Sequence, residues 1–218
     1  MTINVISFDL DGTLSQEEYD HFLWNELLPQ LYAKRYKIPL EKAKSFVYTE
    51  YNELWEATKG EWFDIDFWIY RYDLHHSPED VLGMIRDKIN HYDDVEETLK
   101  KLTEKGHELI ITTSASKRLV KEKLDVGNLK QYFSRAISIA EDFNSKSKSS
   151  EIYKRIIEML GIKPEEFLHV GDSFGNDYDK PLKAGLNALL IDREDKHPEV
   201  EKRISSLAEL PEYIEKNF

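Results

Sequence analysis

Cysteine is absent from this sequence of 218 residues, which excludes disulfide staples and thiolate metal centres. Positive charge is in deficit: 30 lysines and arginines face 42 aspartates and glutamates, for a net charge of -12. A nucleic-acid backbone would be repelled by such a surface, so nucleic acid is not an expected partner. No apolar run approaches the ~20 residues that span a bilayer, so no membrane partner is expected. No basic segment precedes an apolar run at the N-terminus, so no signal peptide is read and a cytoplasmic protein is expected. What remains is 40% hydrophobic and 33% charged, a globular composition. The length suits one large domain, or a core with a small second domain.

Short aliphatic runs recur at 4–8, 108–112, 135–140, 167–171 and 187–191. Near-continuous runs of this kind are expected of strands covered on both faces. Helical patterns separate the later ones, at 95–106, 117–124, 149–161 and 178–185, the third between a serine cap and Gly161. This alternation predicts an α/β fold built on a doubly wound parallel sheet. From Ser15 to Tyr92 it stops. That stretch carries Trp24, Trp55, Trp62 and Trp68, and its apolar residues fall at helical spacing, as in Phe22, Leu23, Leu27 and Leu31. It reads as an inserted helical domain, 15–92, within a core made of 1–14 and 93–218. Its aromatics read as helical core packing.

The opening run ends in Asp9-Leu10-Asp11-Gly12. Residues two apart on a strand point the same way, so both carboxylates face one site if the backbone stays extended. Adjacent carboxylates need a cation or a proton to coexist, and a hard divalent ion such as Mg²⁺ suits them. Three other readings compete. Asp-Gly is ordinary turn chemistry. Ser7, Asp9, Asp11, Gly12 and Glu18 fit the spacing of an EF-hand loop, but no helix precedes them. A phosphoacceptor receiver domain would want adjacent acids and a shorter chain. Other strand ends carry matching chemistry. Thr112, Thr113 and Ser114 end one strand, where hydroxyls and free amides can hold phosphate oxygens. Lys146 and Lys148 precede a helix, and Asp172, Asn176 and Asp177 follow another strand.

In this order, "FDLDGTL", "IITTS", a lysine at 146–148 and "GDSFGND" resemble the four motifs of the haloacid dehalogenase superfamily of hydrolases, and the helical stretch resembles its α-helical cap. The resemblance implies a core sheet with the first strand near its centre. Asp9 would be the nucleophile, forming an aspartyl-phosphate. Asp11 would act as general acid and then general base. Mg²⁺ would be held by Asp9, the main-chain carbonyl of Asp11 and Asp172, with Asp177 ligating through water or orienting its neighbours. Thr112 and the following amide would hold the phosphoryl group, with Thr113 and Ser114 in the same loop. Lys148 is favoured over Lys146 as the charge-balancing lysine because the adjoining helix start would fix its stem. Gln16, Glu17, Tyr19, Asp20 and His21, after the first motif, are candidate substrate contacts. The expected activity is Mg²⁺-dependent hydrolysis of a small phosphorylated metabolite by a monomer or homodimer. A sugar phosphomutase, a dehalogenase and a non-catalytic metal- or phosphate-binding module stand as alternatives. His169 reads as a packed core histidine, and His75-His76, sequence neighbours with no acidic or cysteine partner at zinc spacing, as no metal site.

Overall fold

The structure, a computed structural model, describes residues 2–218. Six parallel strands form one sheet: β1 (Val5–Phe8), β2 (Glu108–Thr113), β3 (Arg135–Ser138), β4 (Phe167–Gly171), β5 (Asn187–Ile191) and β6 (Arg203–Ile204), in the order β3-β2-β1-β4-β5-β6. Strand residues alternate between the two faces. Ile6, Phe8, Leu109, Ile111, Leu168 and Val170 belong to the larger of two apolar clusters, and Val5, Ile110, Ile137 and Phe167 to the smaller. Covered on both faces, the sheet is doubly wound, as the sequence predicts.

Five helices lie between β1 and β2 before the crossover helix: α1 (Glu18–Phe22), α2 (Leu28–Tyr36), α3 (Leu40–Ala57), α4 (Ile65–Arg71) and α5 (Pro78–Gly83). Strand pairing in this stretch is limited to isolated bridges. Ser15 bridges antiparallel to His91, Gln16 N–H donates to Asn90 O, and Tyr92 N–H donates to Leu14 O. The outgoing and returning segments are thus tied side by side. The insert rests on an aromatic cluster in which Trp68, fully buried, donates from Nε1 to Trp62 O at 2.9 Å.

The remaining helices are α6 (Val95–Glu104), α7 (Lys117–Asp125), α8 (Ile139–Phe143), α9 (Ser150–Leu160), α10 (Lys180–Lys183) and α11 (Leu210–Asn217). Helix α9 starts at a Ser149 side-chain cap and stops at left-handed Gly161. The run 135–140 is not all strand. The Ser138 hydroxyl caps α8 by accepting from Glu141 N–H, so the chain turns helical at Ile139 and takes residues 141–143 into α8. The two-residue β6 carried no sequence signal long enough to find. No helix among the described residues is long and apolar enough to cross a membrane.

Candidate active site

Strands β1 and β4 are neighbours, and Asp9 N–H donates to Val170 O at 2.9 Å, so the residues just past both strand ends are held together. Carboxylate oxygens of Asp9, Asp172 and Asp177 lie within 4.8 Å of one another. Two glycines make this approach possible. A Cβ on Gly12, whose φ is +78°, would meet the Asp172 carboxylate at 2.5 Å, and a Cβ on Gly171 would meet Asp177 at 2.5 Å. Thr13 Oγ1 donates to Asp172 Oδ1 at 3.1 Å.

Lys148 enters this cluster from the loop before α9. Its ammonium, almost fully buried, lies 2.7 Å from Asp9 Oδ1 and 2.5 Å from Asp177 Oδ1. Burial opposes its charge, but Asp177 and Asp9 outweigh burial and raise its pKa. Burial pushes Asp9 well above the usual carboxylate range against the pull of Lys148, and Asp177 and Asp172 push the same way. Asp172 is pushed up to about 6, first by burial and then by Asp177. Asp177 goes the other way. Burial would raise it, but Lys148 and the His169 hydrogen bond hold it below the usual range. Asp177 also has both oxygens engaged, since Ser173 N–H donates to Oδ2 at 3.0 Å and His169 Nε2 lies 3.1 Å from Oδ1. Asp9 and Asp172 are therefore the carboxylates better placed to ligate. Two acids held above their ordinary range by burial and by Asp177 form a donor set that a hard divalent cation such as Mg²⁺ fits.

Asp11 does not join this cluster. The extended backbone ends at Phe8, and Leu10 O instead accepts from Leu14 N–H and Ser15 N–H in a tight turn. The Asp11 carboxylate pairs with Lys123 of α7, whose ammonium also pairs with Asp20 of α1. Lys123 is fully buried. Asp20 is pushed up to about 7, by burial first and then by Asp11, despite Lys123. One ammonium serving two partly buried carboxylates leaves them short of positive charge. Lys123 was missed as a site residue because lysines on helices are usually solvated. A signal existed: Lys123 falls on the stripe of Leu119, Val120 and Leu124.

The other sequence candidates divide. Strand β2 runs through Thr113, so its open end lies one residue beyond the expected one. Thr112 is fully buried, with Oγ1 2.8 Å from Ser7 Oγ, which in turn lies 3.0 Å from His169 Nδ1. Thr113 is buried and accepts from Ala115 N–H at 3.2 Å. Ser114, not Thr112, reaches a cavity of about 410 Å³, which Asp11 also lines. Glu17 and His21 line that cavity too. Lys146 is placed elsewhere. Its ammonium donates to Trp55 O and lies 4.8 Å from the Trp55 ring centroid, tying its loop to the insert. His169 is fully buried between Ser7 and Asp177, and burial lowers its pKa. His75 and His76 are in no group of potential metal ligands among the described residues.

A parallel sheet with acidic loops at the carboxyl ends of neighbouring central strands, a buried lysine and a helical insert between the first two strands defines a protein of the doubly wound α/β class with its site at the strand ends. The family model of haloacid dehalogenase-like hydrolases matches residues 3–185, and the chain belongs to that family. It is 30% identical to pyrophosphatase PpaX of Anoxybacillus flavithermus, across 79% of this chain and 76% of that protein. It is 21% identical to the GMP/IMP nucleotidase YrfG of Escherichia coli, across 78% and 75%. The crystal structure of a HAD phosphatase from Thermococcus onnurineus superposes with a TM-score of 0.80 at 29% identity, covering 98% of each chain.

Proposed function

We propose that the chain is a Mg²⁺-dependent phosphatase that hydrolyses a small phosphomonoester through an aspartyl-phosphate on Asp9. The observation that carries this reading is the convergence of Asp9, Asp172 and Asp177 about Lys148 at the ends of the central strands. The names of the relatives, a pyrophosphatase and a nucleotidase, support phosphate release as the outcome.

In the first step an Asp9 carboxylate oxygen attacks phosphorus, and the bond from phosphorus to the ester oxygen breaks. The leaving oxygen takes a proton from Asp11. In the second step Asp11 takes a proton from water, whose oxygen attacks phosphorus and frees Asp9 and inorganic phosphate. Lys148 balances charge on the phosphoryl oxygens, and Ser114 replaces Thr112 as the hydroxyl offered to them. Mg²⁺, which Asp9, Asp172 and the Asp11 carbonyl would hold, supplies charge neutralisation on the transferring group. Asp177 acts indirectly, by fixing Lys148. Residues 15–92 serve as a cap over the cleft, hinged where Leu14–Gln16 and Asn90–Tyr92 run side by side.

The test is phosphate release from p-nitrophenyl phosphate with and without Mg²⁺, in the parent chain and in Asp9→Ala. Activity that needs Mg²⁺, and its loss in a folded Asp9→Ala protein, are expected. A contamination-free Asp9→Ala preparation that still turns over would refute the covalent route.

A further inference from the structure

The 410 Å³ cavity beside Asp11 has two unlike walls. Its size falls in the range that encloses a small organic ligand, about 300–1,000 Å³. The insert contributes Trp24, Tyr51, Trp62 and Phe63. These rings are braced. Tyr51 Oη donates to Trp24 O at 2.9 Å, Trp62 Nε1 donates to Tyr51 O at 3.3 Å, and the Trp24 and Trp62 ring centroids are 5.8 Å apart. Such a wall offers apolar faces at little entropic cost on binding.

The charged groups lining the cavity are Asp11, Glu17 and Asp20, with no lysine or arginine among its described lining residues. The nearby ammonium of Lys123 is already shared between Asp11 and Asp20. The smaller cavity of about 110 Å³ on the Asp172 side does contain cations, but Arg193 is paired with Asp94 and Lys196 with Glu194. The larger, aromatic cavity thus offers no free cation to a second anionic group. A phosphate on Asp9 whose leaving oxygen faces Asp11 would have its leaving group in this space, aromatic on one side and acidic on the other.

Resting on the phosphatase reading above, we infer that the leaving group carries a flat aromatic or heteroaromatic ring and no negative charge, so that the substrate is of the nucleoside-monophosphate or aryl-phosphate kind and not pyrophosphate or a phosphorylated carboxylic acid. The phosphate is then the substrate's one anionic group. Stacking on Trp24 and Trp62 selects for the ring, and Glu17 with the Asp11–Asp20 pair selects against a second anion.

The full chain with Mg²⁺ is assayed for phosphate released from IMP, pyrophosphate and phosphoglycolate, and inosine binding is followed separately by tryptophan fluorescence. IMP is expected to exceed both of the others by at least tenfold in kcat/KM, with saturable quenching by inosine. Trp62→Ala should lower kcat/KM for IMP tenfold or more, chiefly through KM, and weaken inosine binding. Glu17→Lys, at an exposed position, should narrow the preference for IMP over pyrophosphate severalfold, and it keeps the test decisive if Trp62→Ala does not fold. Pyrophosphate or phosphoglycolate turned over as well as IMP overturns the inference and leaves the phosphatase reading standing. Absence of inosine quenching overturns it as well. Inosine binding lost in Trp62→Ala, with no phosphate released from any of the three, supports the pocket assignment and overturns the catalytic reading instead.

Discussion

Replacing Lys123 with methionine removes one charge of similar length from the centre of the molecule. In the parent chain that ammonium is fully buried and paired with both Asp11 and Asp20. Deleting one member of a buried ion pair costs about 3–5 kcal/mol, because the partner keeps its desolvation penalty without compensation. Here two carboxylates are left facing each other, and because both keep some exposure at the cavity a loss within that range is expected. For a chain of this length each kcal/mol lowers Tm by about 2–4 °C, which places the loss at about 6–20 °C. If the mechanism of loss is uncompensated charge, Asp20→Asn should be far less harmful in the Lys123→Met background than in the parent, because it removes one of the two repelling groups. The double mutant should then be more stable than Lys123→Met alone, with a coupling energy of at least about 1 kcal/mol. Urea unfolding of the four proteins measures this directly. Additive effects within about 0.5 kcal/mol would refute the triad as an energetic unit and reduce Lys123 to a packed stem.

Lys148→Ala is expected to lower turnover by about 10²–10³, the usual cost of losing a preorganised charge, while Lys146→Ala, whose ammonium rests on Trp55, should stay within a few-fold. Steady-state kinetics on one substrate decides, and the reverse order would move the charge-balancing role to Lys146. With Asp172 pushed up to about 6, protons compete with metal at that carboxylate. Mg²⁺ should therefore raise Tm clearly at pH 8 and less as pH falls through about 6, and Asp172→Ala should abolish most of the shift; an unchanged shift in that variant would remove Asp172 from the ligand set. Asp94 takes a bidentate bond from Arg193, a bond from Ser206 and the N–H of Leu207; these outweigh burial and hold its pKa below the usual range. A depressed carboxyl stabilises the fold above its unfolded value of about 4 and loses that contribution as pH falls through its folded value. Asp94→Asn should cost about 1–3 kcal/mol at pH 7 and markedly less at pH 3, measured by urea unfolding, whereas equal losses at both pH values would mean that the charge plays no part.

What the sequence determined by itself is what depends on short-range pattern. Aliphatic runs of four to six residues marked β1, β2, β4 and β5, because a strand covered on both faces has to be apolar throughout. The acids and glycine of Asp9–Gly12, and Asp172 and Asp177, were legible because each stands within a few residues of a strand end, where an open parallel sheet places its chemistry. Tertiary structure decided what depends on where separate loops meet. Asp9 and Asp11, two apart in the chain, part to different lysines because the strand ends at Phe8 and the turn swings Asp11 toward α7. Whether Lys123 is solvated or enclosed depends on α1 lying over α7, a contact between residues 103 apart. Ser114 replaces Thr112 at the cavity because β2 extends one residue further than its apolar run, and pairing with β3 sets that end. Of the tryptophans expected as packing, Trp68 is fully buried but Trp55 stays 38% exposed, and Trp24 and Trp62 also wall a cavity, with Tyr51 and Phe63 beside them. Hydrophobicity along a chain reports that a ring will be covered. Only the assembled fold decides which of its faces meets protein and which is left for a ligand.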